Sequence, residues 1–237
     1  PTEGATLDLY AINWKTAGSA TVDGVATAVK GKNVMTYGAR VALKGGGFDA
    51  TAEYAAQTGD WSATATQEAY AFAVKAGYTF DFIGLRLGAE YDFGSGDNDT
   101  ADTTHKTFVF PFHTNHAQYG FMDYFSWGNM TDLRFGASAK PAAGVSVSVD
   151  YHILALADGN DDWLNVVGTK SLFPAVAGSD AVEAGTEIDL TVGWQAHTNL
   201  KLTGGYSVFT PGKAVEERNG GKTDPSQWAY LMSAFTF

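Results

Sequence analysis

The chain has no cysteine, only 6 prolines in 237 residues, and no apolar run long enough for a membrane-spanning helix, which needs about 20 residues. Without cysteine neither a disulfide framework nor a thiolate metal site is available, and thiol content says nothing of the redox compartment. Basic residues are also scarce: 15 Lys and Arg stand against 26 Asp and Glu, a net charge of −11. That balance argues against a nucleic-acid partner, because phosphate contacts need a basic surface. Helical periodicity is hard to find, and no Pro- or Ser-rich linker divides residues 1–237, so one domain is expected. No charged segment followed by an apolar stretch precedes Pro1; either a signal peptide has been removed or the sequence begins inside a longer protein.

What is plentiful is glycine (28 residues), aromatic side chains (14%) and strict alternation. The clearest pattern is a hairpin over 187–209. Ile188, Leu190, Val192, Trp194 and Ala196 alternate with Glu187, Asp189, Thr191, Gly193 and Gln195. After His197-Thr198-Asn199 the pattern resumes, with Leu200, Leu202, Gly204, Tyr206 and Val208 opposite Lys201, Thr203, Gly205, Ser207 and Phe209. Each arm has one oily face and one wet face. Soluble sandwiches alternate too, but their strands average about 5–6 residues, whereas arms of about 10 suffice for a tilted strand to cross a bilayer. The chain stops on an aromatic, with Phe235, Leu231 and Ala229 on the face of Phe237, interrupted by Ser233. This ending resembles the assembly signal of many bacterial outer-membrane barrels.

Alternation recurs over 35–44, 48–57, 70–80, 85–92, 132–140 and 145–154. Tyr70, Phe72, Val74, Val147 and Val149 fall on oily faces, while Lys75 and Ser148 fall on wet ones. In 6–15, Leu7, Leu9 and Ala11 oppose Asp8, Tyr10, Ile12 and Trp14, and the facing is ambiguous. Short links at Gly45, Asp81, Pro141 and His197 alternate with longer connections, as in outer-membrane barrels. The expected fold is all-β: an antiparallel transmembrane β-barrel of ten strands, or twelve if 106–112 and 119–125 both cross. Ten is favoured, with 94–130 as a large outer loop or partial plug. The strands form either a whole narrow barrel or part of a wider one.

On this alignment the inward positions carry Arg40, Lys75, Arg86, Arg134 and Lys201, but also Glu53, Glu90, Asp92, Asp132, Asp150, Glu187 and Asp189. A polyanion conduit calls for a continuous cationic track, and this lumen is mixed. Facing strands can instead pair these charges across a polar interior. Other constellations are weaker. His113 and His116 lie near Asp123, but a lone His-x-x-His is more often a loop pair than a metal site. Asp97, Asp99 and Asp102, or Asp158, Asp161 and Asp162, lack the spacing of a calcium loop and read as solvated acids. Trp14, Trp61, Trp127, Trp163 and Trp228 read as membrane-interface anchors. No cofactor is expected.

Several segments together resemble the alginate-export family of outer-membrane porins. They are Thr36-Tyr37-Gly38-Ala39-Arg40, the stretch from Phe112-His113-Thr114-Asn115-His116 through Tyr124-Phe125, and Leu133-Arg134-Phe135-Gly136. Val149-Asp150-Tyr151-His152, Gly185-Thr186-Glu187-Ile188-Asp189-Leu190-Thr191 and Gly205-Tyr206-Ser207-Val208-Phe209-Thr210-Pro211-Gly212 extend the likeness, which runs from about residue 33 to the end. The resemblance implies a wide monomeric barrel in the bacterial outer membrane that exports polysaccharide, with the matched segments in its C-terminal part. The chain departs from the family pattern at Asn115, where Gly is usual, and at Ala117, where Lys is usual.

Three function classes follow. A porin or exporter in the Gram-negative outer membrane would pass small solutes or oligo- and polysaccharide, with lipid and solute as its partners. An anchoring barrel would bind a protein partner and hold a blocked lumen. A barrel hydrolase needs a nucleophile with a base, and His152 with Ser146 or Ser148 is the only nearby combination; it makes no convincing triad, so no enzyme is expected.

Overall fold

The computed structural model describes residues 4–22, 25–110, 112–116, 118–168 and 171–237. Ten long strands make one antiparallel sheet in chain order: β1 (Gly4–Lys15), β2 (Asn33–Gly45), β3 (Phe48–Asp60), β4 (Thr66–Thr79), β5 (Arg86–Gly94), β6 (Met130–Ala142), β7 (Val145–Ala155), β8 (Glu183–His197), β9 (Leu200–Pro211) and β10 (Ser226–Phe235). Neighbours in sequence are neighbours in space, so the sheet is built from hairpins and needs no crossovers. Of the two expected strand counts the ten-strand one is met. Residues 106–112 and 119–125 add no strand among the described residues, and the stretch from Gly94 to Met130 instead packs over one face of the sheet. Its proline and lack of alternation leave nothing for a central strand to use.

The pairing runs from β1 to β10; among the described residues β1 is bonded to β2, β10 to β9, and no pairing joins β1 to β10. The antiparallel all-β expectation holds.

Facing follows the alternation. Ile188, Leu190, Val192, Tyr70, Val74 and Val149 are all exposed on one face, while Asp189, on the other, is 3% exposed. Phe72 and Val147 lie in register with Tyr54 and Val192 on the same outer face. Along β4, Tyr70 and Tyr78 are separated by about 26 Å of strand, at roughly 3.3 Å per residue. Tyr70 stacks with Tyr54 and Phe93 at one end, and Tyr78 packs edge-on against Phe48 and Phe80 at the other. Smaller side chains, among them Ala50, Ala52, Val74 and Ala76, fill the space between these aromatic bands. In β1 the ambiguity resolves through Tyr10, whose hydroxyl donates to Glu53 Oε1 at 2.7 Å, so Asp8, Tyr10, Ile12 and Trp14 take the polar face.

The short links keep one end of the sheet tight. Gly46 and Gly47, at φ +57° and +84°, make the β2–β3 turn in a backbone region that other residues occupy only under strain. The longer connections gather at the other end. There lie a short hairpin of Gly18–Val22 with Val25–Val29, a two-stranded pairing of Trp163–Leu164 with Ser171–Phe173, and one helix, Lys213–Arg218, which the sequence pattern did not suggest. The buried core also sits there, on the polar side of the sheet, where Trp163 packs with Phe125, Phe173 and Phe209.

That core corrects the reading of the tryptophans. Trp127 and Trp163 are 7% and 1% exposed, and Trp228 stacks on His116 at 4.7 Å. Trp14 meets Trp61 edge-on under the ammonium of Lys32. None of the five stands on the outer face; the exposed tryptophan there is Trp194. The inner segment supplies apolar partners inside the polar face, and large indoles bury against them.

Candidate functional site: a charged face beneath an inner segment

Successive rows of inward residues cross the sheet. One row runs Asp8, Arg40, Glu53, Ala73, Asp92 and Asp132; the next runs Thr51, Lys75, Glu90, Arg134, His152 and Glu187. A third brings Asp49, Gly77, Gly88, Gly136, Asp150 and Asp189 together. Cross-strand neighbours on one face lie close enough for charges to meet, so register alone pairs most of them.

Every arginine singled out in the sequence is held by a carboxylate. Arg40 Nη1 lies 3.2 Å from Asp8 Oδ2, and Arg134 reaches Glu90 at 3.0 Å and Asp150 at 3.6 Å. Arg86 grips Asp49 with two bonds of 2.8 and 2.6 Å, the fork geometry that suits guanidinium to carboxylate. It lies flat across Gly77 and Gly88: a Cβ at those positions would sit 2.2 and 2.7 Å from its guanidinium nitrogens. Lys75 stands 4.0 Å from Glu90. Lys201 is exposed at the tight end of β9.

Glu187 and Asp189 do different work. Glu187 Oε1 accepts the Met122 N–H at 2.8 Å and Asp189 Oδ2 accepts the Phe121 N–H at 3.2 Å, so two acids of the polar face pin the inner segment to β8. His152 bridges the same cluster, with Nδ1 2.7 Å from Asp132 and Nε2 3.6 Å from Asp189. It is therefore committed to carboxylates, and Ser148 lies about 13 Å further along its strand. Among the described residues Asp132 Oδ1, Glu187 Oε2 and Asp189 Oδ1 are buried without a hydrogen-bond partner.

At the other side of the segment two glutamines make the anchor. Gln57 donates to Thr36 Oγ1 (3.0 Å) and the Val109 carbonyl (2.7 Å), while its Oε1 accepts from the Val109 N–H (3.1 Å) and from Gln67 (3.1 Å). Gln67, fully buried, also donates to the Thr107 carbonyl at 3.0 Å and meets His105 Nδ1 at 2.8 Å. The Trp127 indole N–H donates to the Phe93 carbonyl at 3.0 Å. Beyond the short parallel pairing of Thr104–His105 with Thr66–Gln67, backbone groups of this segment are met by side chains, as burial requires.

Between the sheet and this segment lies a cavity of about 240 Å³. Arg40, Glu53, Lys75, Glu90 and Asp92 line it from the strands, and Phe110, Tyr119 and Trp127 face them. Of the site residues read from sequence, this cavity gathers Arg40, Lys75, Glu53 and Glu90. Arg86, Arg134, Asp150, Glu187 and Asp189 lie outside its lining, as does Lys201. Sequence alternation turns Asp92 and Gln57 inward, but nothing in it marks Gln67, Tyr119 or Trp127 for the polar face. Phe235 and Phe237 are exposed, away from this site.

The acidic loop stretches meet each other. Asp161 Oδ2 accepts from the Asp97 N–H (2.9 Å) and the Thr107 hydroxyl (2.5 Å), and Asp97 accepts from the N–H groups of Asp99 and Lys106. Burial raises the Asp161 pKa above the ordinary carboxylate value, against the bonds it accepts. These acids are spent on the backbone. His116 likewise pairs with Asp123 at 3.0 Å and stacks on Trp228, with no third ligand for a metal among the described residues.

The sheet is thus an all-β antiparallel one, apolar along one face and ion-paired along the other, with a segment folded over the polar face. The chain belongs to the alginate export family, whose profile matches residues 1–228 and so takes in β1 as well as the later strands. No curated protein matches the chain.

Proposed function

We propose that the chain, as one domain across 1–237, contributes a transmembrane β-barrel wall in the bacterial outer membrane, and that polar solutes or oligo- and polysaccharide pass along its charged face. The observation that carries this is the division of the sheet: aromatic and aliphatic side chains exposed along one face, with paired charges along the other. Strands of 9–15 residues suit a tilted crossing, which needs about 9–11. Family membership supports an export role, and the mixed charge of the face favours an unspecialised pore over a dedicated polyanion conduit. Phe235 and Phe237 would serve in assembly, with their rings outward.

A second reading has an observation of its own. The inner segment covers part of the polar face through Glu187, Asp189 and Gln57, as a barrel that anchors a partner and conducts nothing would have it. Single-channel recording in planar bilayers separates the two: steady conductance supports the pore, and its absence from correctly inserted protein supports the anchor.

A further inference from the structure

The cavity between the sheet and the inner segment is lined by hydrogen-bonding groups that the protein itself leaves unused. The Asp92 carboxyl, the Thr51 and Tyr119 hydroxyls and the Gln118 amide all border it, and among the described residues none of these groups makes a hydrogen bond. Asp92 and Tyr119 are 4% and 9% exposed, so what they meet is whatever fills the cavity. Polar groups buried in this way are seldom left without a partner, and several around one space point to an occupant. Tyr119 is placed there against its backbone preference, at φ +59°, a region that a bulky residue enters only under strain. The next residue, Gly120, lets the chain pass so close to the Glu187 carboxylate that a Cβ would lie 2.6 Å from it. The other wall is aromatic, with Phe110 set edge-on to Trp127 at 5.9 Å.

We propose that this cavity is a binding pocket for one neutral pyranose ring, with Thr51, Asp92, Gln118 and Tyr119 meeting its hydroxyls and Phe110 and Trp127 its C–H face. A pyranose is two-sided in the same sense, with hydroxyls around its rim and apolar C–H groups on its faces, and small-molecule sites combine aromatic surface with a few polar groups. Hydroxyl and amide groups both donate and accept, and a carboxyl accepts at either oxygen, so this set can follow the mixed donors and acceptors of sugar hydroxyls. The cavity, about 240 Å³, falls below the roughly 300–1,000 Å³ of sites for larger ligands, so it takes one ring and not a chain. Lys75 and Gln118 are partly open to solvent, which gives the pocket a mouth. The pocket goes beyond the pore reading and does not depend on it.

Saturation-transfer NMR titration of the detergent-purified protein with D-glucose tests it, with D-mannitol as an open-chain polyol that lacks the ring. Glucose should bind saturably with a Kd of roughly millimolar order, as about a dozen heavy atoms at ordinary ligand efficiency give, and mannitol should not saturate. Tyr119→Phe and Thr51→Val, each of which removes a hydroxyl and keeps the shape, should weaken glucose binding about fivefold, the worth of one hydrogen bond. Tyr124→Phe, in the same segment but outside the lining, should leave it unchanged. Glucose that does not saturate the folded protein, or mannitol that binds as tightly, overturns the pocket. So does an affinity that is unaltered in both Tyr119→Phe and Thr51→Val, or that falls equally in Tyr124→Phe. None of these results bears on conductance, so the pore reading stands or falls by single-channel recording alone.

Discussion

Replacing Gln57 with leucine should free the inner segment while leaving the sheet in place. Leucine fills nearly the same volume but offers no polar atom, so four groups lose their partner: the Thr36 hydroxyl, the Val109 N–H, the Val109 carbonyl and one N–H of Gln67. Gln57 and Gln67 are 4% and 0% exposed, so water cannot replace the lost bonds without the segment lifting. At about 1 kcal/mol net for each bond, the loss is about 4 kcal/mol, borne almost wholly by the contact between the sheet and residues 107–110. A cost of that size shifts the local opening equilibrium by roughly three orders of magnitude. Hydrogen exchange read by mass spectrometry should show amides of 105–110 losing protection by that order, while amides of β8 and β9 keep theirs. If protection over 105–110 in Gln57→Leu stays within about threefold of the parent, the side-chain anchor is not what holds the segment, because the cost of four unmet bonds would have to appear there.

Acid should loosen the same segment from its other end. Burial, with Lys32 nearby, holds the His105 pKa at about 4 against an ordinary 6.5. The detached segment therefore takes up the proton first, and its attachment, complete above pH 6.5, weakens as pH falls toward 4. Exchange over 104–107, corrected for intrinsic rates, should rise on going from pH 7 to about pH 4.5, and His105→Gln should flatten that dependence; a parent profile as flat as the variant's would count against it. Leu190→Arg on the outer face should cost about 2–4 kcal/mol in folding into lipid vesicles, whereas Ser148→Arg, on the polar face, should cost far less. Equal costs at the two positions would mean that the oily face does not meet lipid. Removing Phe237 should slow assembly in cells more than it destabilises the finished protein, as followed by heat-modifiable gel migration, and normal assembly would remove the terminal aromatic from the assembly signal.

Where strands alternate cleanly, facing was legible residue by residue. Ile188, Leu190 and Val192 could be assigned outward and Asp189 inward because a period of two leaves no third option. β1 resisted because its polar face carries Tyr10, Ile12 and Trp14, apolar enough to mimic a lipid face until Glu53 and Trp61 are seen beside them. The site was legible in its charges and not in its lid. Residues 94–130 have no period, and their place is set by bonds to Gln57, Gln67, Glu187 and Asp189, each more than 35 residues away in sequence. The tryptophans misled for the same reason. A rule that sends indoles to the membrane interface presumes that the polar side has no apolar partner to give them, and Phe108, Phe110, Phe125 and Phe209 are such partners. Asp97 and Asp161 read as two separate solvated stretches, since their meeting depends on two loops converging at the long-connection end.

Closure is the property that alternation cannot carry, because an edge strand and a central strand present the same period of two. The edges themselves say more. Edge strands of soluble sheets are commonly blunted by lysine, proline or a bulge that discourages further pairing. β1 carries none of these between Gly4 and Trp14, and it exposes Leu7 and Leu9 at 63% and 74%. β10 is alike, with no charged residue or proline from Ser226 to Phe235 and Leu231 at 81%. Both are written as strands with a neighbour on each side. In hydrocarbon each unpaired backbone group costs several kcal/mol, so a membrane-embedded sheet tolerates no free edge. With ten strands in alternating direction, β1 and β10 run antiparallel to each other, and each can accept an antiparallel neighbour. The transmembrane reading therefore requires both edges to be met, and amide exchange along the outer edges of β1 and β10 in lipid should be as slow as along β8; fast exchange at either edge would leave the oily face without a bilayer to explain it.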